Sequence, residues 1–192
     1  MKIIISLIVL FFSSVVKADD ISDLEIEGMS IGDSLLNFFS EEEINQSLEP
    51  TYFNWKKNKK FITAEFAGLN SFKKYNAVQA QIKLEDNKFI IYSIGGMMDY
   101  NIQDCYYNQE KVVREISAFI GVNKFEIVNA GKQISKGDIS GKSTYTSIYL
   151  DFLDGSYIDI SCYDWSIETG FIDHLRITIN GKEFGNWLNA DN

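Results

Sequence analysis

The sequence predicts an α+β fold in which a helix followed by antiparallel strands occurs twice, with the helices packed on the sheet. The main observation is a pattern shared by residues 82–94 and 150–162. In each, apolar and polar residues alternate, an aspartate begins a turn, and a second strand rich in Ile and aromatic residues follows. Asp154-Gly155 is a strong hairpin signal. The two turn aspartates, Asp86 and Asp154, lie 68 positions apart.

The same offset aligns a second pair of segments, residues 38–44 and 106–112. In each, two aromatic residues precede a residue that we expect to cap a helix, Ser40 or Asn108. We interpret the common offset as a tandem duplication. The two predicted helix-plus-sheet repeats are residues 19–101 and 102–192, of which the second carries the C-terminal tail.

Residues that end helices bound the predicted helical segments. A first helix over residues 33–48 should stop before Pro50, and a second over residues 105–120 should end at Gly121. After residue 181, apolar side chains in the tail share one helical face. We expect this tail to cover a sheet edge or one end of the core.

Alternating hydrophobicity and turn residues predict seven strands. Gly95-Gly96 should form a bulge or bend where the first hairpin ends. The predicted strands are residues 61–67, 76–84, 89–94, 125–130, 145–153, 156–163 and 173–179.

The two cysteines predict a disulfide. Ile158, Ile160 and Cys162 share one strand face, and Cys105 opens the helix that should lie on that face. The geometry therefore favours a Cys105–Cys162 bridge. With a single histidine, His174, the usual Cys and His ligands of zinc cannot be assembled, and we expect neither a metal nor a cofactor. His174 itself should be a solvated strand residue.

The N-terminus predicts export. A lysine at position 2, an apolar run over residues 3–16 and a small-residue exit at Ala18 are typical of a secretory signal peptide, residues 1–18. The run is shorter than a transmembrane helix requires. We therefore expect no membrane insertion after cleavage, a mature chain that begins at Asp19, and a periplasmic or secreted location.

The overall charge limits the partners. The formal net charge of −9 argues against nucleic acid and anionic lipid. One basic stretch, residues 56–60, runs against this trend. It is either a solvated turn before a strand or a docking patch for an acidic partner.

The candidate binding residues are aromatic. Tyr52 and Trp55 follow the first helix, and Tyr163, Asp164 and Trp165 leave the strand of Cys162. Trp and Tyr beside Asp and Asn in loops can form a binding face for a protein or a sugar. The alternative is that these rings cap the ends of the core.

Motifs of catalysis are missing from the sequence. There is no phosphate-binding glycine loop, metal-binding pair of histidines, Cys-x-x-Cys or nucleophile-elbow serine. Two carboxylates placed for glycoside cleavage leave no local signature. A carboxylate-dependent hydrolase acting on a glycan or an ester therefore stays open as an alternative.

One segment carries a resemblance to known modules. Gly28-Met29-Ser30-Ile31-Gly32-Asp33-Ser34-Leu35 resembles the helix-entry motif of small exported helix-plus-sheet modules. These modules include the outer-membrane assembly lipoprotein of the β-barrel machinery and the tandem β-lactamase inhibitor proteins. The same segment, with residues 141–143 and 162–166, also looks like stretches of uncharacterised exported proteins of marine bacteria.

Together these observations predict an exported, non-enzymatic binding or interaction module of the cell envelope. Its partner would be an envelope protein or a glycan.

Overall fold

The computed structural model describes residues 21–121 and 123–190, which form one large antiparallel sheet with three α-helices. The predicted signal peptide lies outside these residues. Among them, no helix has the length and apolar character needed to cross a bilayer. The helices are α1 (Glu41–Gln46), α2 (Ile102–Ile120) and α3 (Lys182–Asn189). The strands are β1 (Leu48–Glu49), β2 (Phe61–Ala67), β3 (Ala77–Lys83), β4 (Ser93–Asp99), β5 (Phe125–Ile134), β6 (Thr144–Phe152), β7 (Tyr157–Asp164) and β8 (His174–Asn180).

The sheet has the order β1-β2-β3-β4-β8-β7-β6-β5, and every neighbouring pair is antiparallel. Two meanders of four strands therefore meet where β4 pairs with β8 over its whole length. Each predicted segment supplies one of these meanders. The fold is α+β and is dominated by the sheet, whereas the proposal that the segments are repeats stays a prediction.

The helix boundaries differ from those expected at two N-termini. The first predicted helix is divided into a 3-10 turn (Leu35–Asn37) and α1, because Ser40 is extended and caps α1 in a capping box with Glu43. The second helix begins after Asn101, whose side chain accepts a hydrogen bond from the Asp104 N–H. The expectation that Asn108 caps this helix is wrong, because Asn108 lies inside it.

The expected bulge at Gly95-Gly96 is also wrong. Both glycines lie inside β4 and pair in regular register with β3 and β8. A Cβ atom at Gly96 would lie 2.3 Å from the ring of Tyr75, and one at Gly95 would lie 2.8 Å from Thr178 Oγ1. The glycines therefore permit close packing on both faces of the strand, and β4 extends to Asp99 where a strand over residues 89–94 was expected.

The main core lies on the α2 side of the sheet. Ile158, Ile160 and Cys162 are fully buried there, as the strand alternation predicted. The predicted Cys105–Cys162 disulfide is confirmed, with its Cα atoms 5.8 Å apart. Next to this bridge, Gln109 Nε2 donates to the Ile160 carbonyl at 2.6 Å. A cross-link between residues 57 positions apart stabilises by roughly 4 kcal/mol in the chain-entropy model.

Helix α3 forms a second, smaller apolar cluster on the other face of the sheet. Phe184 and Trp187 of α3 pack against Phe53 and Phe61, and all four side chains are buried. The tail therefore covers part of one sheet face, where the sequence predicted a cover over an edge or one end of the core.

The basic stretch holds this helix in place. Lys56 Nζ donates to the carbonyl of Ala190, the C-cap residue of α3, at 2.7 Å. Lys59 Nζ donates to the Phe53 carbonyl, and Lys60 forms an ion pair with Glu183 at 2.7 Å. Three of the four lysines are thus engaged within the chain.

Candidate functional site

The face of the sheet opposite α2, here called the polar face, carries mostly polar and aromatic side chains. In β6, β7 and β8, every second residue points to this face, and the cross-strand register aligns these residues in rows. Cys162 and Ile160 alternate with them and point to the core. The polar-face residues of these three strands include Tyr145, Ser147, Tyr149, Tyr157, Asp159, Ser161, Tyr163, His174, Arg176 and Thr178.

A guanidinium group lies at the centre of the polar face. Arg176 Nη1 donates to the hydroxyl of Tyr52 at 2.8 Å, and its Nε donates to Thr178 Oγ1 at 3.2 Å. The Tyr52 hydroxyl in turn donates to Gln79 Oε1 at 3.2 Å. The loop after β1 is thereby held against both halves of the sheet. Within the described residues, Arg176 has no carboxylate within ion-pair distance.

Asp159 lies next to this centre on β7. Its carboxylate accepts a hydrogen bond of 2.5 Å from Ser161 Oγ, and Ser161 Oγ is 2.6 Å from Ser147 Oγ. Burial raises the pKa of the Asp159 carboxyl, although the Ser161 hydrogen bond and the charge of Arg176 act in the opposite direction. A carboxyl group of this kind can bind a proton more readily than an exposed aspartate.

Three rings from neighbouring strands form a stack on the polar face. Tyr163 lies between Tyr145 and His174, with centroid distances of 5.4 and 4.9 Å and nearly parallel planes. Trp165, two residues after Tyr163, lies next to the stack, with its ring 5.6 Å from that of Tyr163 and 6.4 Å from that of His174. Both faces of the Tyr163 ring are therefore covered by other rings. His174 is partly buried rather than solvated, and burial lowers its pKa.

Hydrogen bonds fix the position of Trp165. Its backbone N–H donates to Asp173 Oδ1 at 2.7 Å, which closes the loop between β7 and β8. The N–H of Ser166 donates to Ser143 Oγ in the loop between β5 and β6 at 2.9 Å. The Trp165 ring also lies 4.9 Å from Phe171.

The β5–β6 loop is organised around one carboxylate. Asp138 accepts hydrogen bonds from the backbone N–H and the hydroxyl of both Ser140 and Ser143, at distances of 2.6 to 2.9 Å. These bonds lower the pKa of the Asp138 carboxyl well below its ordinary value. Because Ser143 also binds Ser166, Asp138 supports the loop that carries Trp165.

The structure brings together only part of the predicted binding set. Tyr52, Tyr163 and Trp165 share the polar face. Trp55 lies apart from them at the α3 end, where Lys56 Nζ is 5.0 Å from its ring centroid and 5.5 Å from that of Trp187. Asp164 points to the other side of the sheet and faces Lys132 at 3.6 Å.

Sequence reasoning did not include Arg176, Asp159 or Tyr145 among the candidate binding residues. The signal was available in the alternation of β6, β7 and β8, because residues two positions apart from Tyr163 or His174 share their face. No group of three or more His, Cys, Asp or Glu side chains suitable for a metal ion occurs in the described part of the chain. No protein-family model, curated protein or solved structure matches this chain.

Proposed function

We propose that this protein is an exported, non-enzymatic binding module that recognises another protein of the cell envelope or exterior through the polar face. The observation that carries the proposal is the row of stacked rings on this face, next to Arg176. Tyr, Trp and Arg are the residue types that contribute most to binding at protein interfaces.

The orientation of the rings favours a protein over a glycan. A sugar ring stacks on the open face of an aromatic side chain, and both faces of Tyr163 are covered by Tyr145 and His174. The row instead offers ring edges and polar atoms, which suit the mixed polar and apolar surface of a protein.

The rigidity of the surface supports the same proposal. Tyr52 is held by Gln79 and Arg176, and Trp165 is held by Asp173 and by the β5–β6 loop. A side chain that is already ordered loses little conformational entropy when a partner binds.

The proposed location is the periplasm or the extracellular space. Disulfides such as Cys105–Cys162 form and persist in oxidising compartments. The predicted signal peptide would deliver the chain to such a compartment. Within this proposal, each meander of four strands is one repeat of a duplicated unit, and the β4–β8 pairing joins the two repeats into one recognition surface.

The experiment that tests the proposal compares two tryptophans. The mature protein is immobilised, partners are captured from envelope extract and identified, and the dissociation constant is measured with the purified partner. We expect Trp165→Ala with Tyr163→Ala to weaken binding at least tenfold, the cost of removing one strong interface residue. Trp55→Ala is the matched control and should bind as the wild type does.

Two results would contradict the proposal. One is a partner whose affinity falls with Trp55→Ala and not with the double variant. The other is binding that disappears when glycans are removed from the partner, which would identify a sugar as the ligand.

A second candidate function follows from Asp159. A partly buried carboxyl with a raised pKa, close to Arg176 and to several hydroxyl groups, can act as an acid or a base. A carboxylate-dependent hydrolase is tested by screening glycoside and ester substrates. Hydrolysis that is lost in Asp159→Asn, in a variant with unchanged unfolding, would favour this function over the binding module.

A further inference from the structure

A groove lies at the end of the sheet where Trp165 is found. It has a volume of about 470 Å³ and runs between the β4–α2 connection and the β7–β8 loop. The N–H of Tyr100 donates to the Asp173 carbonyl at 3.1 Å and joins the two connections. Its aromatic and aliphatic lining residues are Tyr100, Trp165, Ile167, Phe171 and Ile172.

Two aspartates, Asp99 and Asp173, also line the groove. Asp99 pairs across the strands with His174, so Asp173 is the residue next to its partner. Within the described chain, neither carboxylate has a Lys or Arg within ion-pair distance. Asp173 uses Oδ1 to accept the N–H of Trp165, and Asp99 is exposed.

The apolar side chains of the groove are open to solvent. Phe171 is 61% exposed and Ile172 is 64% exposed, and Ile167 beside them is 96% exposed. Neighbouring apolar side chains that extend into water mark interaction sites on soluble proteins. The hydrogen bonds of Ser166 and Thr169 order this loop, so its exposure does not come from a lack of local structure.

We propose that this groove binds a lysine or arginine side chain of the protein partner, an inference that rests on the proposed binding function. The cation lies near the carboxylates of Asp99 and Asp173, and its aliphatic stem packs against Phe171 and Ile172. Aromatic rings attract cations through their faces, and aspartates attract them by charge. The net charge of −9 further favours approach by a basic surface.

The chemistry of the groove disfavours an acidic or a purely apolar side chain as its ligand. An acidic side chain would face two carboxylates without a nearby cation to compensate for them. A purely apolar side chain would fill the groove but would leave these carboxylates partly desolvated and unpaired, which costs free energy.

The test titrates the folded protein with small probes and follows the indole N–H signals of its tryptophans by NMR. The probe is Nα-acetyl-lysine amide, and Nα-acetyl-norleucine amide is its uncharged control of similar shape. We expect a saturable shift of the Trp165 signal with the lysine probe at millimolar concentrations. The norleucine probe should bind roughly threefold to tenfold more weakly, the range of one partly exposed ion pair with a cation–π contact.

Substitutions test whether the carboxylates cause the preference for the lysine probe over the norleucine probe. Asp99→Asn should reduce the preference for lysine, because Asp99 has no structural hydrogen bond through its carboxylate among the described contacts. Glu110→Gln, on an exposed position of α2, is the matched control and should leave it unchanged. Equal affinity for both probes, or no saturable shift of Trp165 with lysine, would overturn the proposal.

The outcomes separate this inference from the proposed function. A purified partner that binds the polar face but whose affinity does not change with Asp99→Asn would overturn only the lysine groove. Binding of the lysine probe without a partner that depends on Tyr163 and Trp165 would overturn only the proposed function.

Discussion

The polar face carries a group of aromatic side chains at each end, and the two groups differ in their exposure to solvent. At one end, Phe53 and Phe61 are covered by Phe184 and Trp187 of α3 and are no more than 7% exposed. At the other end, Phe171 is 61% exposed beside Trp165. Residues of the same chemical class are therefore buried at this first, closed end and exposed to solvent at the second, open end. The difference arises because α3 covers only the closed end.

The largest effect should come from the closed end. Trp187→Ala removes a buried indole that contacts three aromatic rings and donates to the Asn58 carbonyl. We expect a loss of about 3 to 5 kcal/mol in the free energy of unfolding. Urea unfolding measures this, and Trp55→Ala, which removes a 57% exposed ring, should cost no more than about 0.5 kcal/mol. Equal losses of unfolding free energy in the two variants would show that the Trp187 ring stabilises the fold no more than the Trp55 ring does.

The disulfide should have the next largest effect on stability. It lies in the core, on the side of β7 opposite the polar face. Cys162 is the residue before Tyr163, and its bridge to Cys105 ties this part of β7 to α2. Replacing both cysteines by serine should lower the free energy of unfolding by about 2 to 4 kcal/mol. The wild type measured with reductant provides the control. If the oxidised and reduced proteins unfold at the same urea concentration, the bridge has no role in holding this strand.

Acid should act on both ends through different carboxylates. Asp138 at the open end and Glu183 at the closed end both have lowered pKa values, because of hydrogen bonds from Ser143 and from Lys60 respectively. A carboxyl group with a lowered pKa stabilises the fold above its unfolded pKa, which is about 4. This stabilisation is lost as the pH falls below that value.

Hydrogen exchange can locate the acid effect. The amide of Ser143, which donates to Asp138, should exchange faster relative to the amides of α3 as the pH falls below about 4. Asp138→Asn should remove most of this pH dependence at Ser143 and leave that of α3 in place. A variant in which Ser143 keeps the wild-type pH profile would show that Asp138 does not organise the loop.

The smallest effect on stability should come from the open end. Phe171→Ser and Ile172→Ser replace exposed side chains, so each should change the free energy of unfolding by no more than about 0.5 kcal/mol. Either substitution should still weaken binding of the lysine probe. A loss above about 2 kcal/mol would place these side chains in the core, by the usual cost of a buried truncation.

The comparison of the two ends also shows what the sequence could predict. The alternation of Ile158, Ile160 and Cys162 predicted the buried strand face and, with Cys105, the disulfide. The sequence could not separate Trp55 from Trp165, because each stands two positions after an aromatic residue in a predicted connection. Trp55 lies at the end that α3 covers, and α3 reaches Phe53 from more than a hundred positions away.

The incorrect helix prediction has a local cause, whereas the role of the strand glycines depends on distant contacts. Ser34 and Ser40 each bind a backbone N–H, and this divides one predicted helix into two short pieces. Two adjacent glycines in a strand are typical of a bulge. In this strand, glycine is required because Thr178 and Tyr75 pack closely against Gly95 and Gly96, and these contacts cannot be read from the local sequence. Arg176 lies within the predicted strand 173–179, yet its role at the centre of the polar face depends on Tyr52, 124 positions earlier.

The position of β8 has a consequence for how the protein is made. The last strand in the sequence lies in the middle of the sheet, between β4 and β7. Until the ribosome has released residues 174–180, both of these strands present an unpaired edge, and neither Arg176 nor His174 is available to the polar face. Closing contacts of such long sequence separation is slow. The two halves of the sheet therefore stay separate until late in synthesis, and the polar face is assembled only when β8 joins them.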